Sequence, residues 1–249
     1  MLINNEFVFL PIPRNASTSV YVSIKTWGIP INFGIKETNE KFKNNLIDNY
    51  DTMHNHYDYT LLKTIFPNRL FVGIKRNSTD RFISAAYYLI NFLYINNIDL
   101  KHDYLNFNTD NFISFFTEFF IEYNEFVKIH KLYGNREGSN SFGHKYFYND
   151  LSFEKSRQYP DYNINELFCS FLSVALSQYY YGLQYCDEII DIKNIKIIED
   201  KIKIFKPNFN LIKANEKNKN FKLNLEKTDK LEEFVYEYID KPFLTKNLI

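Results

Sequence analysis

Phe7-Val8-Phe9-Leu10-Pro11-Ile12-Pro13-Arg14-Asn15-Ala16-Ser17-Thr18-Ser19-Val20 and Leu70-Phe71-Val72-Gly73-Ile74-Lys75-Arg76-Asn77-Ser78-Thr79-Asp80-Arg81-Phe82-Ile83-Ser84 decide how this chain is read. Each runs from a short apolar stretch, through a polar turn with a basic residue and hydroxyls, into a helix start. A continuous apolar run of this length predicts a parallel strand buried on both faces. Phe7–Ile12 is the first such strand, ended by Pro13, and Arg69–Ile74 the second.

Outward from these strands the pattern is helical. Thr18–Trp27 reads as a helix stopped by Gly28 and Pro30. Asp58–Phe66 reads as a short helix stopped by Pro67, and Asp80 as the cap of a helix running to about Asn96. Strand–helix, helix, strand–helix is the grammar of an α/β protein: a P-loop-like parallel sheet flanked by helices. Further on, Phe112, Phe115, Phe116, Phe119, Tyr123, Phe126 and Val127 recur at three- and four-residue spacing, the core face of a helix over 110–133. Residues 134–160 read as a long polar loop and 163–181 as another helix. Glu188–Ile192 and Ile195–Ile198 read as strands, 212–224 as a Lys/Asn-rich loop, and Thr228–Ile239 as a helix capped by Thr228. With no internal repeat and no linker, residues 1–249 read as a single domain.

Composition narrows the class. The 249 residues suffice for a sizeable core, and a chain 45% hydrophobic and 18% aromatic folds rather than staying disordered. Thirty basic residues balance 30 acidic ones, so net charge gives no case for nucleic acid or an anionic membrane. No apolar run approaches the ~18–20 residues of a membrane span. Met1–Glu6 lacks a basic stretch, so Phe7–Ile12 reads as a strand and not a signal peptide. Cys169 and Cys186 form no Cys-x-x-Cys pair and read as free core thiols of a reducing compartment. No feature of the pattern specifies an oligomeric state.

The turns carry the chemistry. In Pro13–Ser19 small residues allow backbone N–H groups to approach an anion, and the helix dipole favours a phosphate there. The Gly-x4-Gly-Lys-Ser/Thr pattern of an ordinary nucleoside-triphosphate loop is absent, and no glycine lies between Met1 and Trp27. An ordinary Ser/Thr-capped turn remains the plain alternative. In the second turn Arg76 falls at the carboxyl end of a strand, where ligands of α/β sheets bind, and Ser84 falls on the next helix. A guanidinium fork with a hydroxyl is a receptor for a phosphomonoester. Arg81 reads as half of a structural ion pair. Together the turns suggest one ligand with anionic groups at both ends, as in a nucleotide.

The two turns resemble the 5′-phosphosulfate and 3′-phosphate loops of sulfotransferases that use 3′-phosphoadenosine 5′-phosphosulfate. The first resembles a strand ending in Pro-Lys-Thr-Gly/Ala-Ser/Gly-Thr-Ser, the second Val-Arg-Asn/Asp-Pro-x-x-Arg-Phe/Leu-x-Ser. The likeness is to the carbohydrate branch, including the heparan sulfate 2-O type, whose His-Gly-His before the second loop has a counterpart in His54-Asn55-His56. It covers residues 6–95 and, faintly, 165–205, where Gln178 precedes a Tyr-rich stretch and Ile195–Glu199 resembles a strand ending in Glu. The resemblance implies a sulfotransferase-type fold with that nucleotide as cofactor, no metal, and a glycan or other hydroxyl acceptor. It assigns Arg14, Asn15, Ala16, Ser17, Thr18 and Ser19 to the 5′-phosphosulfate and Arg76 and Ser84 to the 3′-phosphate. His56 becomes the general base, with His54 second.

Two positions depart from the pattern. Arg14 stands where the family has its catalytic lysine, and Ser78 where it has proline. Arginine stabilises charge on the bridging oxygen but does not readily give up a proton. A catalytically degenerate nucleotide-binding or structural module is therefore the alternative to an active enzyme, and a P-loop kinase of another lineage is a third reading. His54 and His56 could also be a polar surface pair or half of a metal site, though His102, His130 and His144 are scattered. Asn15-Ala16-Ser17 and Asn77-Ser78-Thr79 both match the glycosylation acceptor pattern. A glycan in either loop would block it, which favours a cytoplasmic location.

Overall fold

The computed structural model describes residues 1–32, 59–95, 108–114, 117, 121, 175, 177–214 and 225–244. Its contacts group into two compact units, Met1–Arg76 with Gln178–Lys217, and Asn77–Ser177 with Asn218–Ile249.

The first unit is built on a five-stranded sheet in the order β3-β1-β2-β4-β5. Its strands are β1 (Leu2–Ile3), β2 (Phe7–Leu10), β3 (Ile31–Asn32), β4 (Leu70–Lys75) and β5 (Glu188–Asp191). β2, β4 and β5 are mutually parallel, while β1 pairs antiparallel with both β2 and β3. The sheet is therefore mixed, not parallel throughout. The antiparallel edge comes from a tight hairpin at Asn4 and Asn5, left-handed with φ of 46° and 59°. Glu6 N–H closes it on the Ile3 carbonyl at 2.8 Å. Two left-handed central residues match the right-handed strand twist, and Asn tolerates that conformation best after Gly.

Phe7, Val8, Phe9 and Leu10 are all buried, as are Phe71–Ile74, so the central strands are covered on both faces as their apolar runs predict. Phe7 and Phe9 point into a cluster with Val20 and Ile24 of α1 (Ser17–Thr26) and with Val72, Ile74 and Ile190. On the opposite face Phe71 meets Tyr59 of α2 (Tyr59–Ile65), ring centroids 4.9 Å apart. Gly73 lets the strand pack closely there: a Cβ would lie 2.6 Å from Leu183 Cδ1 and 3.0 Å from Cys186 Sγ, so those side chains would have to shift. Cys186 is a free thiol, and burial followed by the nearby Asp187 charge pushes it up to about 12. α1 ends where Gly28 takes φ 63°. Gly28 N–H bonds to the Lys25 carbonyl and Ile29 N–H to that of Ile24, a Schellman motif stopping the helix as expected.

Ile195–Ile198 is not a strand. Those residues enter α4, a helix over Lys196–Lys203, behind a 3₁₀ turn at Ile192–Asn194. Ile198 and Ile202 are fully buried, while Ile197 is exposed. The i, i+4 pair packs a helix face into the core, and that packing overrides the β-propensity of the isoleucines. The likeness of Ile195–Glu199 to a strand ending in Glu falls with it. The helix expected to reach Tyr181 also stops earlier: residue 175 is helical, but 178–182 form a turn.

In the second unit α3 spans Ser78–Ile95 and residues 109–114 are helical. Phe82 stacks edge-on against Phe112 and Phe234, centroids 5.6 and 5.8 Å apart. Phe112 is thus core, as its stripe predicts; the remaining stripe residues lie outside the described chain. Thr228 caps α5 (Asp229–Val235) by accepting Leu231 N–H, as expected, but the helix does not end at Ile239. It passes through a π-helical turn, Tyr236–Asp240, into α6 (Lys241–Leu244). Arg81, read as a structural cation, is buried in this unit. Among the described residues no helix is long and apolar enough to cross a membrane.

Candidate functional site

Phe7 pairs with Leu70 and Leu10 with Gly73, so the parallel strands β2 and β4 end side by side and their following turns start from one edge. The β2 turn is unusual. Arg14 has φ 61° and Ala16 has φ 60°, both left-handed, and neither is glycine. Each such residue costs roughly 1–2 kcal/mol, so the surrounding structure must hold them there.

Asn15, between them, supplies the hold. It is 1% exposed, and its Nδ2 donates to the Ile74 carbonyl at 2.6 Å and to Gln178 Oε1 at 3.1 Å. Gln178, equally buried, accepts Arg76 N–H at 3.2 Å and donates to the Arg76 carbonyl at 3.0 Å. Arg76 Nη1 in turn donates to the Arg14 carbonyl at 2.9 Å. The turn after β2 is thereby fastened to the end of β4 through Gln178. With its amide committed inward, the folded Asn15 does not present itself as a glycosylation acceptor.

The consequence is an open helix N-terminus. Left-handed Ala16 followed by helical Ser17 is the alternation that converges successive N–H groups into an anion-binding concavity. Among the described residues no side chain caps α1, and its first turn holds no acidic residue. Among the described residues no acceptor faces the N–H groups of Ser17 and Thr18. Asn15 Oδ1 also lacks a partner. The concavity sits at the positive end of a ten-residue helix with two half-buried guanidinium residues, Arg14 and Arg76, in the flanking turns. Open N–H groups at a helix start beside guanidinium groups are general features of phosphate and sulfate sites.

The hydroxyls divide in their roles. Ser17 is buried and Thr18 half-buried at the concavity. Ser19 Oγ accepts Ala214 N–H at 3.1 Å. Gln178, placed by resemblance only, proves to be the clamp of the site. Sequence spacing gave no distance signal for it, since it lies 163 residues from Asn15.

The β4 turn behaves differently. The cap of α3 is Asn77, not Asp80: Asn77 Oδ1 accepts Asp80 N–H at 3.0 Å, and Asp80 stands within the first turn. Ser84 lies on α3 in the second unit, half-buried, whereas Arg76 belongs to the first. His54 and His56 lie outside the described residues. Among the described residues no group of three His, Cys, Asp or Glu side chains is placed to hold a metal. No protein-family model, no curated protein and no solved structure matches the chain.

Proposed function

We propose that this chain is a sulfotransferase, moving the sulfuryl group of 3′-phosphoadenosine 5′-phosphosulfate to a hydroxyl of a carbohydrate acceptor. The observation that carries the reading is the uncapped concavity at Ala16–Thr18, tied through Asn15 and Gln178 to the turn bearing Arg76. In this reading the 5′-phosphosulfate sits on the N–H groups of the α1 start with Arg14 beside it. Arg76 takes the 3′-phosphate.

The acceptor hydroxyl attacks sulfur in line. Its oxygen bonds to sulfur, the bond from sulfur to the 5′-phosphate oxygen breaks, and the acceptor proton passes to His56. His54 is the reserve base. In this reading the charge growing on the leaving phosphate oxygen is met by Arg14 and the N–H groups. A second reading, a module that binds the nucleotide and transfers nothing, is favoured by Arg14 in place of a lysine.

Calorimetric titration with 3′-phosphoadenosine 5′-phosphate, with a sulfate-transfer assay on wild type, Arg14→Lys and His56→Ala, separates the two. An enzyme binds and transfers, and His56→Ala abolishes transfer while holding affinity within about threefold, because a base acts in the transition state. If Arg14→Lys creates activity in an inert parent, the module reading wins. If nothing binds, both fail.

A further inference from the structure

The segment 210–214 lies along α1 in a regular ladder. Trp27 Nε1 donates to the Asn210 carbonyl at 3.1 Å. Ile212 N–H donates to Ser23 Oγ at 2.6 Å, and Ala214 N–H donates to Ser19 Oγ at 3.1 Å. Steps of four residues on the helix, 27 to 23 to 19, match steps of two along the segment. Four helical residues rise ~6.0 Å and two extended residues ~6.6 Å, so the registers stay together over this short span. The chain thus runs from the end of α1 toward its start. On its other side Leu211 N–H donates to Glu199 Oε2 of α4 at 3.0 Å. That bond, then Lys203, holds the Glu199 carboxyl below its ordinary value.

Two serines connect this strap to the anion concavity. Ser23, fully buried, accepts from Ile212 and donates to the Ser19 carbonyl at 2.6 Å. Ser19 accepts from Ala214 through an oxygen whose own proton can go to an anion. With that proton given to an anion, donor and acceptor would alternate in one direction from Ala214 N–H through Ser19 Oγ. When the last member binds an anion, the serine oxygen becomes a better acceptor for Ala214, since chained hydrogen bonds polarise one another.

We propose that docking of the strap 210–214 on α1 is coupled to occupancy of the anion site at the α1 N-terminus, with Ser19 as the shared group and Ser23 as the positioning residue. The inference rests on the anion-site reading above. It adds that ligand and strap favour each other, and such coupling is reciprocal.

The test is amide hydrogen exchange at Ile212 and Ala214 in the full chain, with and without saturating 3′-phosphoadenosine 5′-phosphate, alongside calorimetry. Exchange at both amides should slow about fivefold on binding, the lower end of ordinary coupling. Ser23→Ala should release Ile212 and weaken nucleotide binding by a similar factor, and Ser23→Thr, which restores the hydroxyl, should recover both. Glu199→Ala loosens the strap from the α4 side, away from the concavity, and should also weaken binding severalfold. Nucleotide binding with unchanged exchange, or full affinity in both Ser23→Ala and Glu199→Ala, overturns the coupling and leaves the anion site standing. Absence of any binding to wild type overturns the site and the coupling with it.

Discussion

The turns after β2 and β4 begin alike and end as opposites. Both read Arg-Asn, then a small residue and hydroxyls, then a helix: Arg14-Asn15-Ala16-Ser17-Thr18 against Arg76-Asn77-Ser78-Thr79-Asp80. In the second, Asn77 turns its oxygen onto Asp80 N–H and closes its own helix. In the first, Asn15 turns inward to Ile74 and Gln178 and leaves the helix start uncapped. Asparagine is a common N-cap, so the second turn is the default and the first the exception. A buried partner draws Asn15 away from capping, and among the described residues no other side chain takes its place. By the same logic the α3 N-terminus is already served by Asn77 and Asp80, so the proposed function relies in the second turn on the side chain of Arg76 rather than on a helix start.

The same substitution in the two turns should separate them most sharply. Asn15→Asp sets a buried carboxylate against two acceptors, the Ile74 carbonyl and Gln178 Oε1. Gln178 cannot flip its amide without losing Arg76 N–H. An uncompensated buried charge costs about 3–5 kcal/mol. Asn77→Asp keeps a cap acceptor at a helix N-terminus, where negative charge is favoured, and should change stability by less than about 0.5 kcal/mol. Urea unfolding of both variants is the measurement. Comparable losses would show that Asn15 is not held as described.

Arg76→Ala comes next. It removes the guanidinium beside the concavity and the bond to the Arg14 carbonyl. Nucleotide affinity should fall by about 1.5–3 kcal/mol, as for hydrogen bonds to charged groups. A thermal-shift titration reads this directly. Equal ligand-induced shifts in mutant and wild type would remove Arg76 from the site.

Much of this architecture can be read from the chain, and the misses share a cause. Phe7–Leu10 and Leu70–Lys75 stand out because burial on both faces demands unbroken apolar runs. The stop at Gly28 and the Thr228 cap stand out because each needs a particular residue at a particular place. Leu2–Ile3 and Ile31–Asn32 are too short to carry a period, although Asn4-Asn5 was an available hairpin signal. Ile195–Ile198 misled because its β-branched residues suggest a strand until Ile202 extends the helical spacing. At the site, Arg14, Asn15 and Arg76 are legible as residue types. The left-handed backbone and the inward turn of Asn15 are not, because they follow from Gln178, remote in sequence.

Asn77→Ala is expected to have a smaller effect. Loss of an Asn cap typically costs ~1 kcal/mol, so the unfolding midpoint should drop while nucleotide affinity stays at the wild-type level. A loss of affinity larger than the loss of stability would place the second helix start in the site and break the contrast between the turns.

Ala16→Gly sharpens the contrast from the other side, with the smallest effect and the opposite sign. Ala16 is held at φ 60°, ψ 15°, where an alanine Cβ crowds the backbone. Glycine relieves that strain but gives the unfolded chain more freedom, which takes back ~0.4–1 kcal/mol. The net expectation is a gain of about 0.5 kcal/mol, read as a small rise in the urea midpoint at unchanged slope. The concavity is made of backbone N–H groups, so nucleotide binding should survive the change. At Ser78, the first residue of α3, no left-handed strain is there to relieve, so the same replacement should bring no gain and at most a small loss. A loss of stability in Ala16→Gly would mean that residue 16 is not left-handed in the folded chain, and the anion concavity built on it would go with that conformation.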